Sequence, residues 1–338
     1  MKTNIIKAAD KDFKKLWLSL RSSDQTEYPQ YSFLDIDYSI EYFSSSVSEN
    51  FSFIITNDSV PIMGVIIAGM INQDKKRELS GFGRPIFCIE NRKNENFDID
   101  EVKSLFKEEL NKVIEKFQPD KIIFRNFGDS LSLMGRFLLD MGAQISPQFT
   151  NVIDLSLPEA KLKYNLRHSY RSLINWGLKN LKIEIIDSKN ISEEKMEAFR
   201  KLHIEVAGRE TRSKKTWQYQ LEMIKNKETF AIFGYLGEEL VTAALFEYSS
   251  KYCFYGVSAS KRELFDKPMS HALIWTAILY AKKIGCIFFE TGKQFFPYHK
   301  QSIKISNKDF GISTFKRGFG GEIFIRNNII WEKNEEQK

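Results

Sequence analysis

The sequence predicts an α/β chain made of two tandem units, and three observations carry that prediction. At 338 residues the chain is too long for one average domain and comfortable for two. Stretches with helical spacing of apolar residues alternate with β-branched and aromatic runs. One order of elements, helix–helix–strand–strand–strand–helix–strand, is also read twice, which places the expected units at residues 1–157 and 158–338.

In the first unit Phe13, Leu16 and Trp17 predict a helix over Asp10 to Leu20. A turn-rich segment from Arg21 to Gln30 and a short helix near Ile36 to Phe43 follow. Strands are expected over Phe51 to Thr56 and Val60 to Ile71, joined by Asn57-Asp58-Ser59, and over Leu79 to Ile89. Val102, Leu105, Phe106, Leu110 and Val113 share one face of a helix from Asp98 to Phe117. A strand (Lys121 to Arg125), a helix (Ser130 to Met141) and a strand (Gln144 to Leu155) complete the unit.

The second unit opens on Glu159 to Lys179, read as one long basic helix. Ser192 caps a helix to Val206 with acidic residues in its first turn, and a second helix spans Lys214 to Lys225. Three strands follow, Thr229 to Leu236, Leu240 to Tyr248 and Tyr252 to Ala259. A helix runs from Pro268 to Ile284, bounded by that proline and by Gly285, and a strand covers Ile287 to Glu290. Short strands are expected at Gly311 to Phe315, Glu322 to Arg326 and Ile329 to Glu332.

Composition narrows the function. With 42% hydrophobic residues and 14% aromatics the chain can bury sizeable cores. A net charge of +6 favours anionic partners such as phosphates, nucleotides or pyrophosphate-bearing cofactors. Basic and acidic residues are mixed and form no long run of one sign, which argues against a DNA-binding arm. Cys88, Cys253 and Cys286 stand singly in apolar surroundings, the pattern of buried free thiols in a reducing compartment and not of a metal site. The longest apolar run, Val60 to Ile71, is far short of the roughly 20 residues of a spanning helix. The start of the chain has no signal-peptide pattern, so a cytoplasmic location is expected.

The densest motif is Phe315-Lys316-Arg317-Gly318-Phe319-Gly320-Gly321, in which a lysine precedes three glycines around one phenylalanine. Glycines at this density let backbone approach a ligand or another strand. Arg167 and Arg171 lie four apart and suit a phosphate. In Gly208-Arg209-Glu210-Thr211-Arg212, two arginines flank a glutamate, and guanidinium groups bind phosphate oxygens bidentately.

Taken in order, Arg167-His168-Ser169-Tyr170-Arg171, Asn175-Trp176-Gly177, Glu290-Thr291-Gly292 and the closing Phe-Lys-x-Gly-Phe-Gly-Gly string resemble the FemABX family of tandem GNAT enzymes, the non-ribosomal peptidyltransferases. The second half carries these strings, while the first half matches only in its order of elements. The resemblance implies two GNAT-like domains, each a mixed, mainly antiparallel sheet flanked by helices. It implies acyl transfer to an amine, with an acceptor held by the first domain and between the domains, and donor binding and catalysis in the second.

By that resemblance Lys316 faces the oxyanion of the tetrahedral intermediate and Phe315 packs beside the acyl chain. Glu290 and His271 join it as catalytic candidates, His271 because a helix N-terminus keeps its imidazole neutral. Glu210, Asp266, His168, His203 and His299 compete with them as the base. Arg167, Arg171, Arg209, Glu210, Arg212 and Tyr298, the last in the aromatic loop Phe295 to His299, are the expected acceptor residues. Gly81-Phe82-Gly83-Arg84-Pro85 reads as a bulged strand end facing the acceptor.

Two departures from the family pattern bear on the donor. No heptad run provides the coiled-coil arm of the enzymes that use glycyl-tRNA. Ser260, Lys261 and Arg262 stand where simple GNAT enzymes carry their glycine-rich phosphate loop, and are the expected cofactor contacts. The implied substrates are therefore acyl-CoA, as cosubstrate and not as a bound cofactor, and a nucleotide-linked amino sugar, with no DNA and no metal. The specific substrate expected is a dTDP-3-amino-3,6-dideoxyhexose taking a hydroxyacyl group. The alternatives are transfer from aminoacyl-tRNA to a peptidoglycan precursor and a catalytically silent sugar-nucleotide-binding protein.

Overall fold

A computed structural model describes residues 2–23, 28–91, 98–127, 130–264, 266–297 and 305–333. The chain forms two compact units: residues 1–27, 31–148 and 326–338 make the first, and 28–30 with 149–325 the second. The division falls inside one strand, Gln144–Asp154, and the last residues of the chain return to the first unit.

The first unit runs β1 (Thr3–Lys7), α1 (Phe13–Ser23), α2 (Phe33–Tyr42), β2 (Val47–Asn50), β3 (Phe53–Asn57), β4 (Val60–Ile66), β5 (Ala68–Ile71), β6 (Arg77–Ser80), β7 (Phe87–Glu90), α3 (Ile99–Phe117), β8 (Lys121–Asn126), α4 (Leu133–Asp140) and β9 (Gln144–Asp154). Strands β1, β3, β4 and β7 pair antiparallel in the order β1-β3-β4-β7. A second ladder, β2-β5-β6-β8, is antiparallel except at β6–β8. Phe53, Val65, Phe106, Leu110, Ile122 and Phe124 lie in one core cluster. Burying each such side chain is worth about 1.5–3 kcal/mol.

Two long strands expected here are divided. The stretch from Val60 to Ile71 breaks at Ile67, whose backbone N–H and C=O both bond the Ser52 hydroxyl, so a side chain takes a place in the ladder. The stretch from Leu79 to Ile89 breaks at a tight turn, where Gly81 and Arg84 bond one another and Phe82 takes a φ of 54°. Phe82 is buried, and Arg84 forms an ion pair with the buried Asp35, so Arg84 has a structural use.

The second unit runs α5 (Glu159–Asn165), α6 (His168–Asn180), β10 (Lys182–Ile186), α7 (Glu193–Ala207), α8 (Lys214–Lys225), β11 (Thr229–Leu236), β12 (Glu239–Tyr248), β13 (Tyr252–Ser260), α9 (Met269–Lys283), β14 (Phe288–Gln294), α10 (Asn307–Arg317) and β15 (Glu322–Glu332). Its ladder is β10-β11-β12-β13-β14-β9, antiparallel except for the parallel pair β13–β14, whose connection is α9. Phe230, Phe246, Leu273, Ile278 and Phe289 belong to one core cluster, and Phe199, Trp217, Leu221 and Phe233 to another. Both units thus have mixed, mainly antiparallel sheets with helices, as expected.

Three expectations are corrected. Gly311 to Phe315 is not a strand but part of α10, because Ser306 and Asp309 form a reciprocal capping box that starts a helix despite the β-branched residues after it. Glu159 to Lys179 is two helices, since Leu166 is extended and buried and the Arg167 N–H bonds Gly318 O. Glu322 to Glu332 is one strand, β15, whose later residues pair with β8.

Candidate active site

The site begins where a ladder ends. Parallel pairing of β13 with β14 runs through Tyr252–Phe288, Cys253–Phe289 and Phe254–Glu290, and both strands then continue beyond it. Each has a register irregularity on its other side. Pairing of β12 with β13 slips between Ala244 and Phe246, and β14 slips against β9 between Glu290 and Gly292, at Thr291. Bulges bend and twist the strands that carry them. Two of them on opposite flanks open the parallel pair into a fork.

Lys316 occupies this fork. Ser313 Oγ donates to Gln294 Oε1 at 2.9 Å and accepts from the Phe295 N–H at 3.0 Å, which lays α10 along β14. From the last turn of α10, Lys316 Nζ comes 5.5 Å from the centre of the Tyr255 ring on β13. On the β14 side it lies beside Gly292, where a Cβ would stand 2.8 Å from Nζ. Burial, the dominant cause, holds the Lys316 pKa below the ordinary lysine value; the charge of Glu290 opposes this and that of Lys293 adds to it. Glu290 Oε1 accepts a hydrogen bond from Thr150 Oγ1 at 2.7 Å. The arrangement sets a lysine amine and a carboxylate at the mouth of an opened strand pair.

Behind the fork, the Asn151 amide donates to Thr291 Oγ1 at 3.1 Å and to Gly320 O at 2.9 Å. Asn151, Thr291, Gln294 and Ser313 are all buried. Sequence reasoning gave none of Thr150, Asn151, Tyr255, Gln294 or Ser313 a role. Polar residues recur along β9, from Gln144 and Ser146 to Gln148 and Asp154, so nothing in the sequence set Thr150-Asn151 apart.

Phe315 packs with Tyr170, Phe319 and His271, with ring centres 6.1, 5.4 and 5.1 Å away. The Tyr170 hydroxyl donates to Phe315 O at 3.0 Å. Gly318 leaves room here, because a Cβ on it would stand 2.2 Å from Cε2 and Cζ of the Tyr170 ring. His271 stands 4.5 Å from Tyr170, and burial, with the Arg167 charge adding, lowers its pKa. It is thus enclosed by aromatic rings, packed against the residue before Lys316. A cavity of about 570 Å³ opens nearby, lined by Val152, Asp154, Leu162, Phe288, Gly321 and Glu322 among others. It adjoins the fork through Val152, the register partner of Glu290.

The expected anion ligands do not converge on this point. Arg167 donates to Thr314 O at 2.9 Å and Arg171 to Tyr164 O at 3.0 Å, so each ties a backbone carbonyl. Glu210 pairs with Arg200 at 2.9 Å, Arg212 lies over the Trp217 ring at 5.4 Å, and Arg209 is exposed. Ser260 bonds Thr242 and Ser270 through its hydroxyl, and Arg262 is exposed. Lys261 Nζ meets Glu239 at 2.5 Å, Glu205 at 3.1 Å and Glu263 at 3.7 Å, and hydrogen bonds to the first two raise its pKa. Three carboxylates around one ammonium leave it little attraction for a phosphate. Tyr298 and His299 lie outside the described residues.

No family profile and no curated protein matches the sequence. Similarity emerges from the fold. The structure of FemX aligns over 100% of this chain and 98% of its own at a TM-score of 0.65 and 12% identity. A tandem GNAT protein from the clavulanic acid biosynthesis pathway, solved without AcCoA, aligns over 98% of both chains at 0.54 and 10%. L-PGS from Bacillus licheniformis aligns over 81% of this chain and 82% of its own at 0.55 and 12%. The chain therefore has the tandem GNAT fold.

Proposed function

We propose that the protein is an N-acyltransferase whose reaction centre is the fork between β13 and β14. The observation that carries this reading is Lys316 Nζ seated between Tyr255 and Gly292, with Glu290 two residues before that glycine. An acceptor amine attacks the acyl carbonyl, a C–N bond forms, and the oxygen gains negative charge that the Lys316 ammonium meets. Glu290 takes the amine proton, which then goes to the leaving group as its bond to the acyl carbon breaks. Burial strengthens the lysine's effect, because a charge in low dielectric is felt more strongly.

The donor in this reading is acyl-CoA and the acceptor the amino group of a nucleotide-linked amino sugar in surface-glycan synthesis, the specific pair proposed being a dTDP-3-amino-3,6-dideoxyhexose and a hydroxyacyl donor. The absence of a heptad arm supports it, and AcCoA is named for one structure of similar fold. One observation favours a second reading, aminoacyl transfer from tRNA to a peptidoglycan precursor. Lys261, standing in the place of the phosphate loop, is already neutralised by Glu239, Glu205 and Glu263.

The test is incubation of the purified protein with a panel of acyl-CoAs and nucleotide amino sugars while thiol release is followed. Thiol release with one pair supports the first reading. None with any pair, together with transfer from aminoacyl-tRNA, replaces it by the second. Silence with both and tight nucleotide binding would make the chain a binding protein.

A further inference from the structure

We infer that Asn151 and Thr291 form a positioning clamp that sets how far Lys316 reaches into the fork. The inference rests on the reading of Lys316 as the group facing the oxyanion. Lys316 and Glu290 sit on separate elements, α10 and β14, so their spacing depends on what joins those elements near the fork. Ser313 and Gln294 join them one turn before the lysine. Past the lysine, the joint is Asn151.

Both hydrogens of its amide are used. One goes to Thr291 Oγ1, in the bulge between Glu290 and Gly292; the other goes to Gly320 O, four residues beyond Lys316. The Thr291 hydroxyl approaches Asn151 O at 3.4 Å, so the pair is reciprocal. Asn151 is 2% exposed and Thr291 1%. A buried polar side chain loses more from an unmade bond than it gains from a made one, so the amide has one stable orientation. The bulge that turns β14 out of the parallel ladder is thus held by the same group that fixes the turn after α10. Neither residue touches the reacting atoms; both act through Glu290 and Lys316.

The test compares Thr291→Val, which keeps shape and removes the hydroxyl, with Thr291→Ser, which keeps the hydroxyl, and adds Asn151→Ala. Competitive acetylation of lysines with acetic anhydride, read by mass spectrometry across pH, follows Lys316 without any substrate. In T291V and N151A the Lys316 midpoint should move up by about one pH unit as the amine reaches water, while T291S stays with the wild type. If a donor–acceptor pair is in hand, T291V should lower kcat about ten-fold with KM changed less than two-fold, as loss of positioning requires.

An unchanged Lys316 profile in folded T291V overturns the clamp, whatever the activity. Should N151A fail to fold, the valine–serine pair decides alone. A clamp that holds in the labelling experiment while Lys316→Ala retains full turnover leaves the clamp standing and removes the catalytic reading.

Discussion

Lys316 Nζ lies where a side chain on residue 292 would begin: a Cβ built on Gly292 stands 2.8 Å from it. Gly292 also has a φ of 104°, a conformation that L side chains rarely adopt. The glycine of Glu290-Thr291-Gly292 and the lysine of the closing string, 24 positions apart, are therefore one feature of the fork. Gly292→Ala should strain the backbone and push the lysine out. We expect turnover to fall by about 10²-fold, the effect of losing one oxyanion partner, and stability to drop by more than about 1 kcal/mol. Steady-state kinetics with urea denaturation measures both. Normal turnover in G292A would mean that the lysine works from another position.

Gly318 bears on packing instead. It lies against the Tyr170 ring, and the Tyr170 hydroxyl holds Phe315 O. Gly318→Ala should overpack this contact and cost about 1–3 kcal/mol. Because Phe315 immediately precedes Lys316, kinetics should also worsen. Tyr170→Phe removes only the hydroxyl bond, and its cost should stay near about 1 kcal/mol. A denaturant midpoint for G318A equal to that of the wild type would contradict the geometry.

How much of this was legible in the sequence follows from which forces act locally. Helix α8 and strand β11 begin and end where apolar spacing and turn residues place them, since both signals are local. Helices α3 and α9 were legible too, whereas strands β1 and β2 were not expected. The helix around Lys316 was not, because Ile312, Thr314 and Phe315 favour strand, whereas the capping box that starts the helix lies upstream of them at Ser306. Nor was the use of the arginines. Arg167 and Arg171 show the same four-residue spacing whether they meet phosphate or carbonyl oxygens, and only tertiary structure supplies Thr314 O and Tyr164 O. Asn151 is invisible for the same reason: its partners are 140 and 169 positions away.

Lys261 separates a structural charge from a ligand-binding one. Surrounded by Glu239, Glu205 and Glu263, it should serve mainly to hold the turn after β13. Lys261→Met would leave three carboxylates facing one another, so the variant should be less stable and should recover part of the loss at high salt, where repulsion is screened. Its KM for a CoA donor should remain within about two-fold of the wild type. A rise of ten-fold or more, with unchanged stability, would return this lysine to the phosphate site that its sequence position suggested.

Lys316 makes the sharpest case because its environment fixes the sign of two pH effects. Lys316→Ala should lower turnover by about 10²-fold or more if the ammonium meets the oxyanion. In the wild type, burial depresses the lysine pKa, so the alkaline limb of the rate profile should begin below the ordinary lysine value of about 10.4 and should vanish in the variant. Stability moves the other way. With a depressed folded-state pKa, the native state releases its proton first, so between that value and about 10.4 the unfolded chain binds more protons and stability rises with pH. Relative to Lys316→Met, the wild type should therefore gain stability as pH rises through that window. Urea denaturation of both proteins across the alkaline range measures the difference. A wild type that instead loses ground to the methionine variant would show that Glu290 outweighs burial and that the lysine pKa is raised.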